Sequence, residues 1–521
     1  MPAARGLIHG ARQLGKGGEV DTLTYRFEGD KIVIDLTIVP EGLESAVQRA
    51  KEKNIIIPTF TQQKDPAHIP GAIVSKLKNI GLWDIDPLNL FRITWHNEPV
   101  AYGGGFGAVN FIEFPAALTG VEARIVAIVG KWFPTGAHKV GAAFGCLVPR
   151  LVTGQFDPTT QKAVWPSTGN YCRGGAYDST LLGCDSIAIL PEGMSQERFD
   201  WLASVSGEII KTPGSESNVK EIFDKCWELR ASGQDLMIFN QFDEFGNYLW
   251  HHEITGPAVL EVLKRIMGPK DRFQGFMSAT GSAGTIACGD FLKKQFPTSK
   301  IVACEALQCP TLLRNGFGEH RIEGIGDKHV PWIHNVKNLD MVVAVDDEIP
   351  ISLMRLFNEP AGKKYLAAKG VPSALLDLLD LLGISCIGNL VTAIKFARYY
   401  ELGEHDIVMT VLTDSMEMYA SRLVELNQKR GEFTDSDASA VYARHIEGLT
   451  IDNMEELTYY GRKRIHNLKY YTWVEQQGKT YEEIQRQWYD DDYWDSIPTC
   501  ADQIDALIEE FNAKTGLLKT L

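Results

Sequence analysis

Apolar and polar residues alternate through DTLTYRFEGDKIVIDLTIVP, residues 21–40, on both sides of Glu28-Gly29-Asp30. That period of two, with a turn between the halves, predicts a β-hairpin. Residues 41–110 are mixed, with short helical patterns and a glycine cluster, YGGGFG, at 102–107. From about residue 111 the rhythm changes. VEARIVAIV at 121–129 predicts a buried strand, a helix follows Lys139, and KAVWPSTGN at 162–170 ends a strand in a polar turn. GGAYDSTLLG, DSIAILP, SQERFDWLASVSG and GEIIKTP then read as helix, strand, helix and strand. FQGFMSAT, GTIACGDFLKKQF and KIVACEAL form another strand–helix–strand unit, and DIVMTVLTD at 406–414 is a late strand. Strands alternating with helices predict a mostly parallel sheet covered on both faces, the α/β class. Residues 430–521, rich in Tyr, Trp, Glu and Arg, predict an added helical segment with amphipathic faces. No internal repeat or long low-complexity linker interrupts the pattern.

Composition narrows the function. The chain has 521 residues, 44% hydrophobic and 23% charged, in the ordinary range for a soluble globular protein. Its net charge of −15 argues against a general nucleic-acid binder, which needs a basic face. Nine cysteines are scattered without a CxxC pair and without a histidine at metal-ligand spacing, so free thiols and no metal site are expected. The opening MPAARGLIHGARQLGKGGEV has no apolar stretch of signal-peptide length, and no run approaches the ~20 apolar residues of a membrane helix. The expectation is a cytoplasmic protein with no membrane and no nucleic-acid partner.

Four short stretches carry candidate chemistry. In WFPTGAHKVGAAF, residues 132–144, Lys139 lies among Gly136, Ala137, Gly141, Ala142 and Ala143. It is either a lysine snorkelling from a tightly packed helix or a Schiff-base lysine in a site with room for a flat ring. SATGSAGT, residues 278–285, lies between a strand and a helix. Its small residues expose backbone N–H groups at the positive end of a helix, which suits a phosphate, with Thr280, Ser282 and Thr285 as added donors. It is not a nucleotide P-loop, because no Gly-Lys-Ser/Thr follows. In PSTGN, residues 166–170, Ser167, Thr168 and the backbone suit a carboxylate, and Asn170 offers a donor and an acceptor; a plain helix cap is the alternative. ISCIGN at 384–389 opens a further helix.

Taken in order, PTGAHK, STGN, LPEGMSQER, NQFDEFGNYLWHHEITGP, TGSAGT, IEGIGDKHVP and GIS resemble the pyridoxal-phosphate enzymes of the tryptophan synthase β fold type, and within them the cysteine synthase/cystathionine β-synthase family. The resemblance covers roughly residues 110–420. It implies two parallel-sheet α/β subdomains with pyridoxal 5'-phosphate between them, flanked by extensions at 1–110 and 430–521. The core is then 111–429, and the part around 140–245 closes over the substrate. It also implies a homodimer acting on a small amino acid. Lys139 matches the lysine that holds the cofactor as an internal aldimine and moves the α-proton. Thr280, Gly281, Ser282, Ala283, Gly284 and Thr285 match the phosphate loop, and Asn170 the residue bonded to the ring hydroxyl. Ser167, Thr168 and Gly169, with Gln241, match the substrate-carboxylate loop. Ser385 matches the serine beside the pyridine nitrogen, with Thr413 or Ser415 as rivals.

A neutral hydroxyl at the ring nitrogen makes the ring a weaker electron sink than a carboxylate would. The implied chemistry is therefore β-elimination or β-replacement through an aminoacrylate, as a lyase or a cysteine synthase-like enzyme. The other class of reading is a non-catalytic relative that binds a ligand or partner. One departure stands out. After STGN the family usually continues with threonine, glycine and small apolar residues, whereas this chain has Tyr171-Cys172-Arg173-Gly174-Gly175. Arg173 is either a reader of a second acidic group on the substrate or an arginine tied to a structural carboxylate.

Overall fold

The computed structural model describes residues 25–28, 31–99 and 104–520. Residues 1–24, which include the start of the predicted hairpin segment, its turn at Gly29 and Asp30, and residues 100–103, which include the first part of the glycine cluster, lie outside the described residues. The hairpin arms are present: β1 (Tyr25–Glu28) pairs antiparallel with β2 (Lys31–Ile34), Tyr25 opposite Ile34.

Two sheets organise the rest. The larger runs β13-β11-β10-β9-β12-β4-β3, with β3 (Phe111–Phe114), β4 (Arg124–Val129), β9 (Arg272–Ala279), β10 (Lys300–Ala306), β11 (Met341–Val345), β12 (Asp406–Leu412) and β13 (Met454–Glu456). Its five inner strands are parallel, and β3 and β13 close the edges antiparallel. The smaller sheet runs β7-β6-β5-β8 and is parallel throughout, with β5 (Lys162–Pro166), β6 (Asp185–Pro191), β7 (Glu208–Thr212) and β8 (Leu236–Ile238). Every residue of β11 and β12 is buried, as strands covered on both faces must be. This is the expected α/β class, and the strands read from the sequence stand where the periodicity placed them.

Short strands escaped that reading. β3, β8, β11 and β13 give runs of three to five residues, too brief for period two to show against their flanks. β13 matters most, because it lies in the stretch read as helical and extends the large sheet by pairing Met454–Glu456 with Met341–Val343.

The small residues around Lys139 are used for packing. Helix Lys139–Thr153 is buried along almost its whole length and ends at Gly154, whose φ of +74° is left-handed. A Cβ on Gly141 would lie 2.0 Å from the Trp250 ring, and one on Gly145 2.5 Å from the Gly246 carbonyl. Helix Asn170–Leu181 approaches from the other side, where a Cβ on Gly174 would lie 2.7 Å from Val140 Cα. Three helices thus meet backbone to backbone around the start of the Lys139 helix, which only glycine permits.

The two ends of the chain are joined. Asn512 on helix Cys500–Thr515 donates to the Ile57 carbonyl at 2.8 Å and accepts from its N–H at 3.0 Å. Asp505 accepts from the backbone N–H groups of Phe60 and Thr61. Ser496 donates to the Ile32 carbonyl and accepts from its N–H. All nine cysteines are free and buried. Among the described residues no helix is long and apolar enough to cross a membrane.

Candidate active site

The predicted residues converge at the carboxyl ends of parallel strands, where open α/β sheets form their binding crevices. Lys139 follows β4 across a tight turn in which Thr135 and Gly136 have φ of +69° and +70°. Ser167 to Asn170 follow β5, Thr280 to Thr285 follow β9, and Asp414 follows β12.

One chain of hydrogen bonds runs through the set. Lys139 Nζ donates to Ser282 Oγ at 2.9 Å, which also accepts from Asn247 Nδ2 at 3.0 Å. Asn247 Nδ2 donates to the Gln241 carbonyl, and Gln241 Nε2 donates to Ser167 Oγ at 3.2 Å. Ser167 Oγ accepts in turn from the Gly169 N–H. Thr168 bonds through its hydroxyl to the buried Glu216. Burial draws the Lys139 amine down to about 8, against the opposing pull of the Asp327 carboxylate. Asp327 is itself buried, its Oδ2 has no partner, and burial raises it to about 7.

Between β9 and helix Ala287–Gln295 the backbone forms a cradle. Ala283 has a φ of +60°, and a Cβ on Gly284 would lie 2.0 Å from Asn247 Oδ1. Among the described residues, none of the backbone N–H groups of Gly281 to Ile286 donates to another group of the protein. Inward N–H groups of this kind suit an oxyanion. His138 stands behind it: its Nε2 lies 3.0 Å from Thr285 Oγ1, and its ring stacks on Trp95. Burial and then the Lys139 charge push His138 down to about 3, so the imidazole is neutral. Its Nδ1–H faces the Thr413 carbonyl, which leaves Nε2 to accept from the Thr285 hydroxyl.

Asn170 Nδ2 donates to Asp414 Oδ2 at 2.7 Å, Tyr419 donates to the same oxygen, and Asn170 Oδ1 has no partner. Ser385, in the first turn of helix Ile384–Tyr399, is buried next to Gly324. Thr413 offers its carbonyl to His138, and Ser415 Oγ is buried without a partner. Arg173 is buried, its guanidinium 4.6 Å from the Trp201 ring and 5.7 Å from that of Trp83, and none of the described carboxylates pairs with it.

Sequence reasoning missed Asn247, Asp327 and Asp414. Asn247 and Asp327 lie inside NQFDEFGNYLWHHEITGP and IEGIGDKHVP, where order marked the motifs but nothing marked which polar side chain turns inward. The signal for Asp327 is a carboxylate directly after a glycine pair spaced for a tight turn, Gly324 and Gly326, both at positive φ.

The family model for pyridoxal-phosphate dependent enzymes matches residues 132–368. The chain is 30% identical over 289 residues to a cysteine synthase of Staphylococcus aureus, a match covering 55% of this chain and 84% of that protein. It is 24% identical over 338 residues to cystathionine beta-synthase of Saccharomyces cerevisiae, covering 63% of each. A solved hydrogen sulfide-producing enzyme from Fusobacterium nucleatum, 24% identical, superposes with a TM-score of 0.50 over 64% of this chain and 92% of its own, which shows the shared fold.

Proposed function

The chain belongs to the cysteine synthase/cystathionine β-synthase family of pyridoxal-phosphate-dependent enzymes, and from that premise we propose that Lys139 holds the cofactor and that the reaction is β-elimination or β-replacement on a small amino acid. When bound, pyridoxal phosphate draws electrons from the amino acid's α-carbon, so that its proton can be removed and a β-substituent expelled. The residues present fit that group. The unbonded N–H groups of Gly281 to Ile286 suit its phosphate, the unpartnered Oδ1 of Asn170 its ring hydroxyl, and the Ser385 hydroxyl its ring nitrogen.

Lys139 is then the base. An amine drawn down to about 8 is partly neutral at physiological pH, so it can accept the α-proton without first losing one. Ser167, Thr168 and Gly169 receive the substrate carboxylate, with Gln241 fixing the Ser167 hydroxyl. His138 holds a proton at Nδ1 and keeps Nε2 as an acceptor, which orients the Thr285 hydroxyl at the mouth of the cradle. The segment around 140–245 closes the site against water, a reading supported by the buried contacts of Arg198 with Glu323 and Tyr419.

The observation that carries this reading is the hydrogen-bond chain from Lys139 through Ser282 and Asn247 to Gln241 and Ser167. It supports reading the amine, the oxyanion cradle and the carboxylate loop as one connected site. The test is the visible spectrum of the purified protein with a panel of amino acids bearing β-leaving groups. A cofactor band that shifts with an amino acid and disappears in Lys139→Ala supports the proposal. No band after pyridoxal phosphate is supplied defeats it.

A further inference from the structure

Arg173 is a buried cation without an anion. It is 1% exposed, and its Nε and Nη2 have no hydrogen-bond partner. Nη1 lies against Met418 Sδ, a weak acceptor. The neighbouring Arg198 shows a paired guanidinium, with only its Nε unpartnered: Nη1 donates to Glu323 at 2.6 Å and Nη2 to the Tyr419 hydroxyl at 2.9 Å. The Asp414 charge acts on Arg173, but its Oδ2 already accepts from Asn170 and Tyr419. Holding an arginine in apolar surroundings with its fork unmet is costly, and such groups call for an explanation.

The surroundings supply one. Arg173 is three residues after Asn170 on the same helix, so the two side chains share a face, about 5–6 Å apart at Cβ. Trp83 and Trp201 meet edge to face at 6.3 Å. Both are half-buried, and they form the outer wall over the guanidinium. The Trp83 ring and Met418 also border Gly136, three residues before Lys139. The guanidinium therefore packs against Trp83, Trp201 and Met418 one helical turn from the carboxylate loop. Guanidinium groups prefer planar, bidentate oxyanions, and stacking on indole leaves the fork's edge free to bind one.

We propose that Arg173 receives a second carboxylate, carried on the side chain of the amino-acid substrate, so that this enzyme acts on amino acids that bear a side-chain carboxylate together with the β-leaving group that is expelled. The proposal deepens the reading of the site given above and rests on it. Trp83 and Trp201 shield the pair from water, which strengthens the charged hydrogen bond.

The test titrates the cofactor-loaded enzyme with two matched pairs, L-aspartate against L-asparagine and L-glutamate against L-glutamine, reading the visible cofactor band. At least one acid is expected to bind on the order of tenfold or more tighter than its amide, the worth of one charge-assisted hydrogen bond. Arg173→Met, which keeps length and removes charge, is expected to bring that ratio to about one. Equal binding of acid and amide by the wild type, or a preference that survives in Arg173→Met, overturns the proposal. Should Arg173→Met not fold, indole fluorescence of the wild type decides: a change with the acid and none with its amide supports the site, and equal changes overturn it. A band that moves with neither acid nor amide overturns the role of Arg173, and overturns the amino-acid reading of the site as well if amino acids bearing β-leaving groups also leave it unmoved; equal movement with acid and amide overturns the role of Arg173 alone.

Discussion

Arg198 and Glu323 meet at 2.6 Å with both side chains buried, the guanidinium from the helix after β6 of the small sheet and the carboxylate from the segment after β10 of the large one. Further contacts join the same two layers. Arg422 donates to the Gly193 carbonyl at 2.7 Å and Ser421 donates to Glu197 through both its N–H and its hydroxyl, while within the large layer Arg422 also donates to Glu323 at 2.6 Å. Removing one partner of a buried pair leaves the other charged and unmatched, which costs about 3–5 kcal/mol. Glu323→Ala is therefore expected to lower stability by that order in thermal unfolding. It is also expected to raise KM, because the layers part more readily over the site. A stability loss below about 1 kcal/mol would show that the layers hold together without this pair.

The pH dependence of cofactor loading follows from Lys139. An unperturbed lysine titrates near 10.4. Burial disfavours the ammonium and brings Lys139 down to about 8, while the Asp327 charge works in the other direction. Capture of an aldehyde requires the neutral amine. The rate at which cofactor-free enzyme recovers its visible band should rise about tenfold per pH unit below about 8 and level off above it. Asp327→Asn removes the charge that favours the ammonium, so its midpoint should move to lower pH. A wild-type midpoint near 10 would mean that burial does not act on this amine.

The glycines around the Lys139 helix predict a graded series. Gly141→Ala pushes a methyl into the Trp250 ring, and Gly174→Ala pushes one into the Val140 backbone. Overpacking of this kind costs about 1–3 kcal/mol. Gly174→Ala should also reduce cofactor content, since the strain falls on the residue next to Lys139. Gly71→Ala is the control, because nothing lies within 4 Å of the added carbon; its urea midpoint should match or slightly exceed the wild type. Equal midpoints across all three would contradict the packing described.

Much of this architecture is legible in the sequence, and the parts that are not have physical reasons. β4, β5, β9 and β12 are largely apolar runs with turn residues at their ends, and the site loops follow those ends directly, so Lys139, Ser167, Asn170 and Thr280 could be singled out as candidates by local reasoning. Asn247 and Asp327 reach the site through tertiary turns, and single polar letters carry no sign of direction. The small residues near Lys139 could be read as room for a ligand or as close packing, and only the positions of Trp250, Gly246 and Val140 decide for packing. Arg173 allowed two readings for the same reason, because the lack of a partner carboxylate is a property of the fold.

The C-terminal segment invites comparison with an arm or a lid, but its contacts make it part of the interior. Trp473 is fully buried and donates to the Val330 carbonyl, close to Asp327 in sequence. Lys469 is buried and donates to the carbonyls of Trp332 and His334 and to the Gln487 side chain. Asn512 meets both backbone groups of Ile57, and β13 extends the large sheet. Asn512→Ala leaves two buried backbone groups unmet and should cost about 2 kcal/mol or more. Lys469→Met removes three hydrogen bonds and strands the Gln487 side-chain oxygen, while the Trp332 carbonyl keeps the Gln487 amide and the His334 carbonyl keeps the Val336 N–H; it should cost about 1–3 kcal/mol. Deleting 430–521 strips an edge strand and the partners of Ile32, Ile57, Phe60 and Val330 together. The product should lose cooperative unfolding and stay largely insoluble, rather than remain folded with an altered oligomeric state. A folded, cofactor-binding fragment ending near residue 429 would show that the core stands without its C-terminal extension.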